Sequence, residues 1–164
     1  FSNLTFDDRG KINFDHPESF DHKMLKAHIN LLLKNKKIKS PSYDYRKHKR
    51  KKLLKTIYPK KLIFVEGTLI FYFKEIVNFM SLKIFIHAKE KVRFKRRLNR
   101  DIIYRARTKE SIHEQYHKTV KPMYDKYVRP LKAEADLIIS GESGLTDNRN
   151  KIIREIDSMI KGNL

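Results

Sequence analysis

Between residues 18 and 33, hydrophobic positions recur at intervals of three and four: Phe20, Met24, Leu25, Ile29, Leu32 and Leu33 form one apolar stripe and predict a helix. The pattern then breaks. Residues 34–59, KNKKIKSPSYDYRKHKRKKLLKTIYP, carry two prolines and a dense run of cations, which predicts an exposed, hairpin-like excursion. KLIFVEGTLIF (61–71), LKIFIHA (82–88) and ADLIIS (135–140) are short continuous runs rich in β-branched and aromatic residues. Such runs are the pattern of strands covered on both faces in a parallel sheet. Between the last two, Val92, Leu98, Ile102, Ile103 and Ile112 predict helices broken near 105–108. Ile152, Ile153, Ile156, Met159 and Ile160 predict a terminal helix. Helices joining parallel strands form βαβ units, so the expected fold is α/β: one domain over 1–164, a parallel sheet flanked by helices.

The first helix has an unusual approach, INFDHPESFD at 12–21. Pro17 suits the first turn, where its missing N–H costs nothing, and either Asp15 or His16 can cap the free amides. Capping leaves Ile12, Asn13 and Phe14 unexplained. An extended apolar stretch that brings a carboxylate to a helix start is also a way to present an acid to a ligand.

The chain has 164 residues, enough for one domain with a real core, and its 38 Lys and Arg against 19 Asp and Glu give a net charge of +19. That excess implies affinity for polyanions, with phosphate as the common denominator. Lysine dominates residues 34–61 and arginine dominates 93–107. Lysine is a hydrated point charge, whereas the guanidinium forks onto phosphate oxygens, so the lysines read as solvated surface and the arginines as phosphate ligands. The absence of cysteine excludes disulfides, thiolate metal sites and a cysteine nucleophile, and fits an intracellular, cytoplasmic setting. The longest apolar run, 62–73, is broken by Glu66 and Gly67 and is too short for a membrane span. No signal-peptide pattern opens the chain.

Three stretches can carry chemistry. Glu66 and Gly67 end a predicted strand, where open parallel sheets bind ligands, and Glu66 could coordinate Mg²⁺ directly or through water. RRLNRDIIYRAR (96–107) sets Arg97 and Arg100 on one helix face, with Arg105 and Arg107 at the expected break. Phosphoryl transfer needs such cations on a segment that can close over a nucleotide; a solvated face or an RNA-binding strip would look similar. In PSYDYRKHKR (41–50), Tyr43, Tyr45 and His48 could stack on and hydrogen-bond a base, or pack the excursion against the body. No histidine pair has zinc spacing with a third ligand, and neither a nucleophile elbow nor a dinucleotide-binding glycine fingerprint is present.

In order and approximate spacing, NFDHPESFD, PSYDYRKHKR, IFVEGTLIF, RRLNRDIIYRAR, EQY and VRPLKAEADLII resemble the uridine kinases, or uridine-cytidine kinases, from about Phe1 to Ile139. The resemblance implies a P-loop-kinase-like fold with a basic β-hairpin and an arginine-rich lid. It implies that Asp15 holds the ribose hydroxyls with Arg97 and Gln115, that Phe14 lies beside the base, and that Tyr43 and His48 read the pyrimidine. Arg100, Arg105 and Arg107 would grip the ATP phosphates, and Glu66 would help hold Mg²⁺. The implied reaction transfers the ATP γ-phosphoryl to the 5′-hydroxyl of uridine or cytidine, in a protein that is usually a homotetramer with no membrane partner and only nonspecific affinity for nucleic acid.

Two departures stand out. The family's lid reads Arg-Gly-Arg, whereas here Ala106 takes the glycine's place, which adds strain if the position has positive φ. The glycines at 10, 67, 141, 144 and 162 cannot form G-x-x-x-x-G-K-[ST]. With Phe1 in place of Met, the resemblance implies that the first strand, the P-loop and the catalytic aspartate lie upstream. Two alternatives remain: a non-catalytic remnant that binds RNA or another polyanion, and a related kinase of phosphoribulokinase or pantothenate kinase type, against which the Tyr43–His48 segment argues.

Overall fold

The stripe of residues 18–33 forms a short 3-10 turn, Pro17–Ser19, followed by helix α1, His22–Leu33. The computed structural model describes residues 4–5, 8–9, 12–45 and 49–162. His16 caps the 3-10 turn, its Nδ1 accepting from the Glu18 amide at 3.3 Å, and Asp21 caps α1 by accepting from the Met24 amide at 3.1 Å. Asp15 is thereby left out of the capping. Asn35 ends α1 in the left-handed region at φ 57, and the Lys36 amide returns to the Leu31 carbonyl.

The cationic excursion is a β-hairpin, as expected: β1 (Ile38–Asp44) pairs antiparallel with β2 (Lys49–Ile57). The register shifts between Pro41 and Tyr43, a bulge that accommodates a proline unable to donate to the ladder. Every residue of β2 is exposed, so its lysines are solvated, and charge along an edge discourages pairing with another chain. Arg50 ties the hairpin back to the start of α1 through a 2.7 Å bond to Asp21.

The parallel sheet comprises β3 (Ile84–His87) and β4 (Leu137–Ser140), with Phe85 opposite Ile138 and Ile86 opposite Ile139. Asp136 sets this register by accepting from the Lys83 amide at 2.7 Å and pairing with the Lys83 ammonium at 2.8 Å. Helix α2 (Lys74–Val77) precedes β3, and the crossover from β3 to β4 runs through α3 (Glu90–Arg105), α4 (Lys109–Gln115), a π-helical turn (Tyr116–Val120) and α5 (Lys121–Tyr127). A 3-10 segment, Arg129–Glu134, leads into β4, and α6 (Leu145–Gly162) closes the order.

Two expectations need correction. KLIFVEGTLIF is not a ladder strand: among the described residues, 62–66 hydrogen-bond to no neighbouring strand, and Ile70–Tyr72 form a 3-10 turn. Leu62, Phe64 and Glu66 are exposed while Ile63 and Val65 are half-buried, so the stretch keeps a strand's period-two alternation without a pairing partner. The terminal helix also buries none of its residues. Its apolar stripe faces an open groove of about 740 Å³, lined by Leu62, Phe64, Ile86, Ile139, Ile153 and Ile156. The core itself lies in two clusters, Ile29, Phe73 and Ile76 beneath α1, and Phe71, Phe85 and Val128 beneath the sheet.

Candidate active site

Because His16 takes the cap and hydrogen-bonds Tyr127 at 3.0 Å through its other ring nitrogen, the Asp15 carboxylate is free to point at α3. There it meets Arg97, whose Nη1 is 3.6 Å away. Arg97 also donates to the Gln115 Oε1 at 3.3 Å, and Arg107 donates to the same oxygen. Arg107 is anchored further by a 3.2 Å bond to the Ser111 carbonyl. The loop before α1, the middle of α3 and the end of α4 thus converge on one polar cluster, which holds four of the residues singled out in the sequence: Asp15, Arg97, Arg107 and Gln115.

Arg100 and Arg105 join it through Asp101. This carboxylate is 0% exposed and lies 2.8 Å from Arg100, 3.3 Å from Arg105 and 3.6 Å from Arg97. Burial lowers the Arg105 pKa from its ordinary value, an effect that Asp101 opposes and Arg100 and Arg97 reinforce. α3 ends where Ala106 adopts φ 53, ψ 41, the left-handed conformation that the family's glycine accepts without strain. Thr108 then caps α4, accepting from the Ser111 amide at 3.2 Å. The expected break at 105–108 is therefore a left-handed turn between two helices. Arg96, from the same block, turns away and donates to the Gly141 carbonyl at 2.7 Å.

The hairpin leans over this cluster. The Arg105 guanidinium sits 4.5 Å from the Tyr45 ring centroid, and Tyr45 meets Tyr43 edge-on at 5.1 Å. Burial, and then Tyr45, push the Tyr43 hydroxyl above the ordinary tyrosine range, while Arg9, Arg105 and Arg50 pull it down. Arg9 is buried and was not singled out in the sequence. Phe14 is half-buried beside Asp15, its carbonyl accepting from the Ser19 hydroxyl at 3.0 Å. His48 lies outside the described residues.

Glu66 is exposed and is not drawn into the arginine cluster. Among the described residues no group of three or more histidines, cysteines or carboxylates could hold a metal ion. One exposed carboxylate fits Mg²⁺ only in the manner usual for that ion, with water and phosphate oxygens supplying most of its ligands. No helix among the described residues is long and apolar enough to cross a membrane.

Of the residues that proved central, the sequence reading missed Asp101. The signal was present: Asp101 stands four residues after Arg97 and four before Arg105, on one helix face.

Fold and site together define an α/β protein in which Arg97, Arg100, Arg105 and Arg107 gather around Asp101, Asp15 and Gln115. The chain belongs to the phosphoribulokinase / uridine kinase family, which residues 5–144 match. A uridine kinase of Listeria monocytogenes serotype 4a (strain HCC23) is 41% identical over 138 residues, 84% of this chain and 66% of that protein. A uridine kinase of Clostridium novyi (strain NT) is 42% identical over 138 residues with the same shares, and one of Haemophilus ducreyi (strain 35000HP / ATCC 700724) is 43% identical over 84% of this chain and 64% of that protein. The chain spans about two thirds of the length of these curated relatives.

Proposed function

We propose that this chain is the nucleoside-binding and lid-bearing part of a uridine kinase, which transfers the ATP γ-phosphoryl to the 5′-hydroxyl of uridine or cytidine. The observation that carries the reading is the convergence of Asp15, Arg97, Arg107 and Gln115, from the loop before α1, α3, the turn after it and the end of α4, with Tyr45 of the hairpin against the neighbouring Arg105. An acceptor carboxylate flanked by a guanidinium and an amide suits a ribose diol, which offers two donors and two acceptors. Phe14 and Tyr43 supply flat surfaces for a pyrimidine, with His48 as the base-reading group.

Arg100, Arg105 and Arg107 line the lid that would close over the ATP phosphates. Fixed cations that meet charge developing on the phosphoryl oxygens lower the barrier, and closure excludes water that would otherwise compete with the nucleoside hydroxyl. Glu66 would help hold Mg²⁺, which supplies neutralisation of phosphate charge when bound. On this reading residues 1–164 are one partial kinase domain, cytoplasmic, and assembled with further copies of itself as family members usually are.

The 164 residues contain no G-x-x-x-x-G-K-[ST], so the polypeptide alone is expected to bind nucleoside without turning over. Calorimetry with uridine, cytidine, adenosine and ribulose tests the reading. Saturable binding of the two pyrimidine nucleosides alone supports it, and equal or absent binding of all four overturns it. Phosphorylation of uridine by the chain by itself would show the inactivity expectation wrong.

A second reading, polyanion binding without catalysis, draws on the fully exposed, lysine-rich β2. It requires RNA binding with a steep salt dependence that uridine does not compete away.

A further inference from the structure

We propose that Asp101 is the positioning residue of the arginine lid, a buried carboxylate that fans Arg97, Arg100 and Arg105 into the arrangement a phosphate chain would meet. The inference rests on the uridine kinase reading only for what the arginines finally touch; the fan itself is read from the geometry.

Asp101 has no exposed surface, and its side chain meets three guanidiniums: Arg100 Nε at 2.8 Å, Arg105 Nη1 at 3.3 Å and Arg97 Nε at 3.6 Å. Its backbone carbonyl accepts from the Ala106 amide, which closes α3, and from the Arg107 amide at 3.2 Å. One residue therefore fixes the direction of three lid side chains and the backbone start of the fourth. Three guanidiniums gathered this closely repel one another, and in a partly dehydrated site that repulsion is strong. Without a central anion they would splay into solvent.

The neutralisation is deliberately incomplete in charge terms. Four arginines share two carboxylates, Asp101 and Asp15, so the cluster keeps positive charge for an incoming anion. The Arg97 Nε and the Asp101 Oδ2 face each other at 3.6 Å, both buried and neither in a hydrogen bond. Both residues lie on α3, and a small side-chain rotation of Arg97 would bring them to bonding distance, so the fan is held with one contact still open to tightening.

The sign of a substitution separates positioning from bulk charge. Asp101→Asn raises the positive charge of the cluster, and attraction alone would tighten anion binding. Positioning requires the reverse: the amide cannot hold three guanidiniums, and affinity for an extended phosphate chain falls despite the added charge.

The experiment uses the full chain, with inorganic tripolyphosphate as the probe, calorimetry at fixed ionic strength, and arginine Nε–H resonances read by ¹⁵N NMR. In the unmodified protein the Arg100 Nε–H is expected to be protected from exchange. Asp101→Asn is expected to lose that protection, shift the Arg97 and Arg105 signals and weaken tripolyphosphate about tenfold, with Asp101→Glu restoring part of the affinity. Unchanged or tighter binding by Asp101→Asn, or no anion binding by the unmodified chain, overturns the proposal. If Asp101→Asn does not fold, the unmodified protein's spectrum decides, since an Arg100 Nε–H exchanging as fast as a surface arginine's is equally fatal. Failure of uridine to bind would sink the kinase reading and leave these readouts standing.

Discussion

The Arg97 guanidinium reaches to within 3.6 Å of the Asp15 carboxylate and so joins the loop before α1 to the helix that leads into the lid. On the proposed reading, nucleoside pocket and lid share a residue. Asp15→Asn removes the charge on which both a ribose diol and Arg97 would depend. Hydrogen bonds to a charged group are worth about 1.5–3 kcal/mol, so uridine affinity is expected to fall roughly 10- to 100-fold by calorimetry. The melting temperature should hardly change, because the pair is loose and partly exposed.

Ala106 holds φ 53 at the turn that ends α3. An L-residue in the left-handed region costs roughly 1–2 kcal/mol, partly offset by glycine's greater freedom in the unfolded chain. Ala106→Gly is therefore expected to stabilise the fold by about 1 kcal/mol, raising the midpoint of thermal unfolding by about 2–4 °C. A drop in midpoint would show that the methyl group is in a contact worth more than the strain.

Asp21 has two tasks, capping α1 and pairing with Arg50. The bond to Arg50, ahead of the Met24 amide, holds its carboxyl below the ordinary aspartate range against the opposing effect of burial. Because the folded pKa is the lower one, the stabilisation is present above the unfolded value and disappears as pH falls through the folded one. Proton titration by NMR should place the Asp21 midpoint below that of a free aspartate. Asp21→Ala should cost about 1 kcal/mol through the lost cap, whereas Asp21→Asn keeps a capping oxygen and frees only the hairpin.

The ring of Tyr45 lies beneath Arg105 at 4.5 Å. Tyr45→Leu preserves apolar cover and removes the π face, worth about 0.5–1 kcal/mol at an exposed site. Tripolyphosphate binding should weaken by roughly two- to fivefold while uridine affinity holds, a split that a general loosening of the hairpin would not give.

Much of this was legible from residue pattern. Phe20 to Leu33 showed a helix, Ile84 to His87 and Leu137 to Ser140 read as strands, and the cations of 34–59 marked an exposed hairpin, but the strands are not covered on both faces as expected, since Ile86 and Ile138 are exposed. The 61–71 run misled because it has strand composition, yet a strand exists only by virtue of a neighbour, which a local pattern cannot reveal. Asp15 could be named as a candidate, but nothing local could decide whether it or His16 would cap the first turn. That depended on Tyr127, far along the chain, offering the second ring nitrogen a partner. Asp101 was overlooked for a related reason: an acid among many arginines reads as ordinary surface charge until burial shows it at their centre.

The π-helical turn at Tyr116–Val120 works as a vernier on everything after it. Ile112, Tyr116 and Val128 are all buried, yet along an unbroken α-helix at about 100° per residue, Ile112 and Val128 would point to nearly opposite sides. The wide turn absorbs roughly one residue's rotation and brings them back toward a common face, while Gln115 stays aimed at the arginines. Loss of a single residue from 116–120 should consequently be tolerated, since a regular α-helix would then join Ile112 to Val128 at about 60°, the relation the wide turn already sets. A further residue inserted there would instead rotate Tyr124 and Val128 by about 100°, away from the cluster they form with Phe85 beneath the sheet.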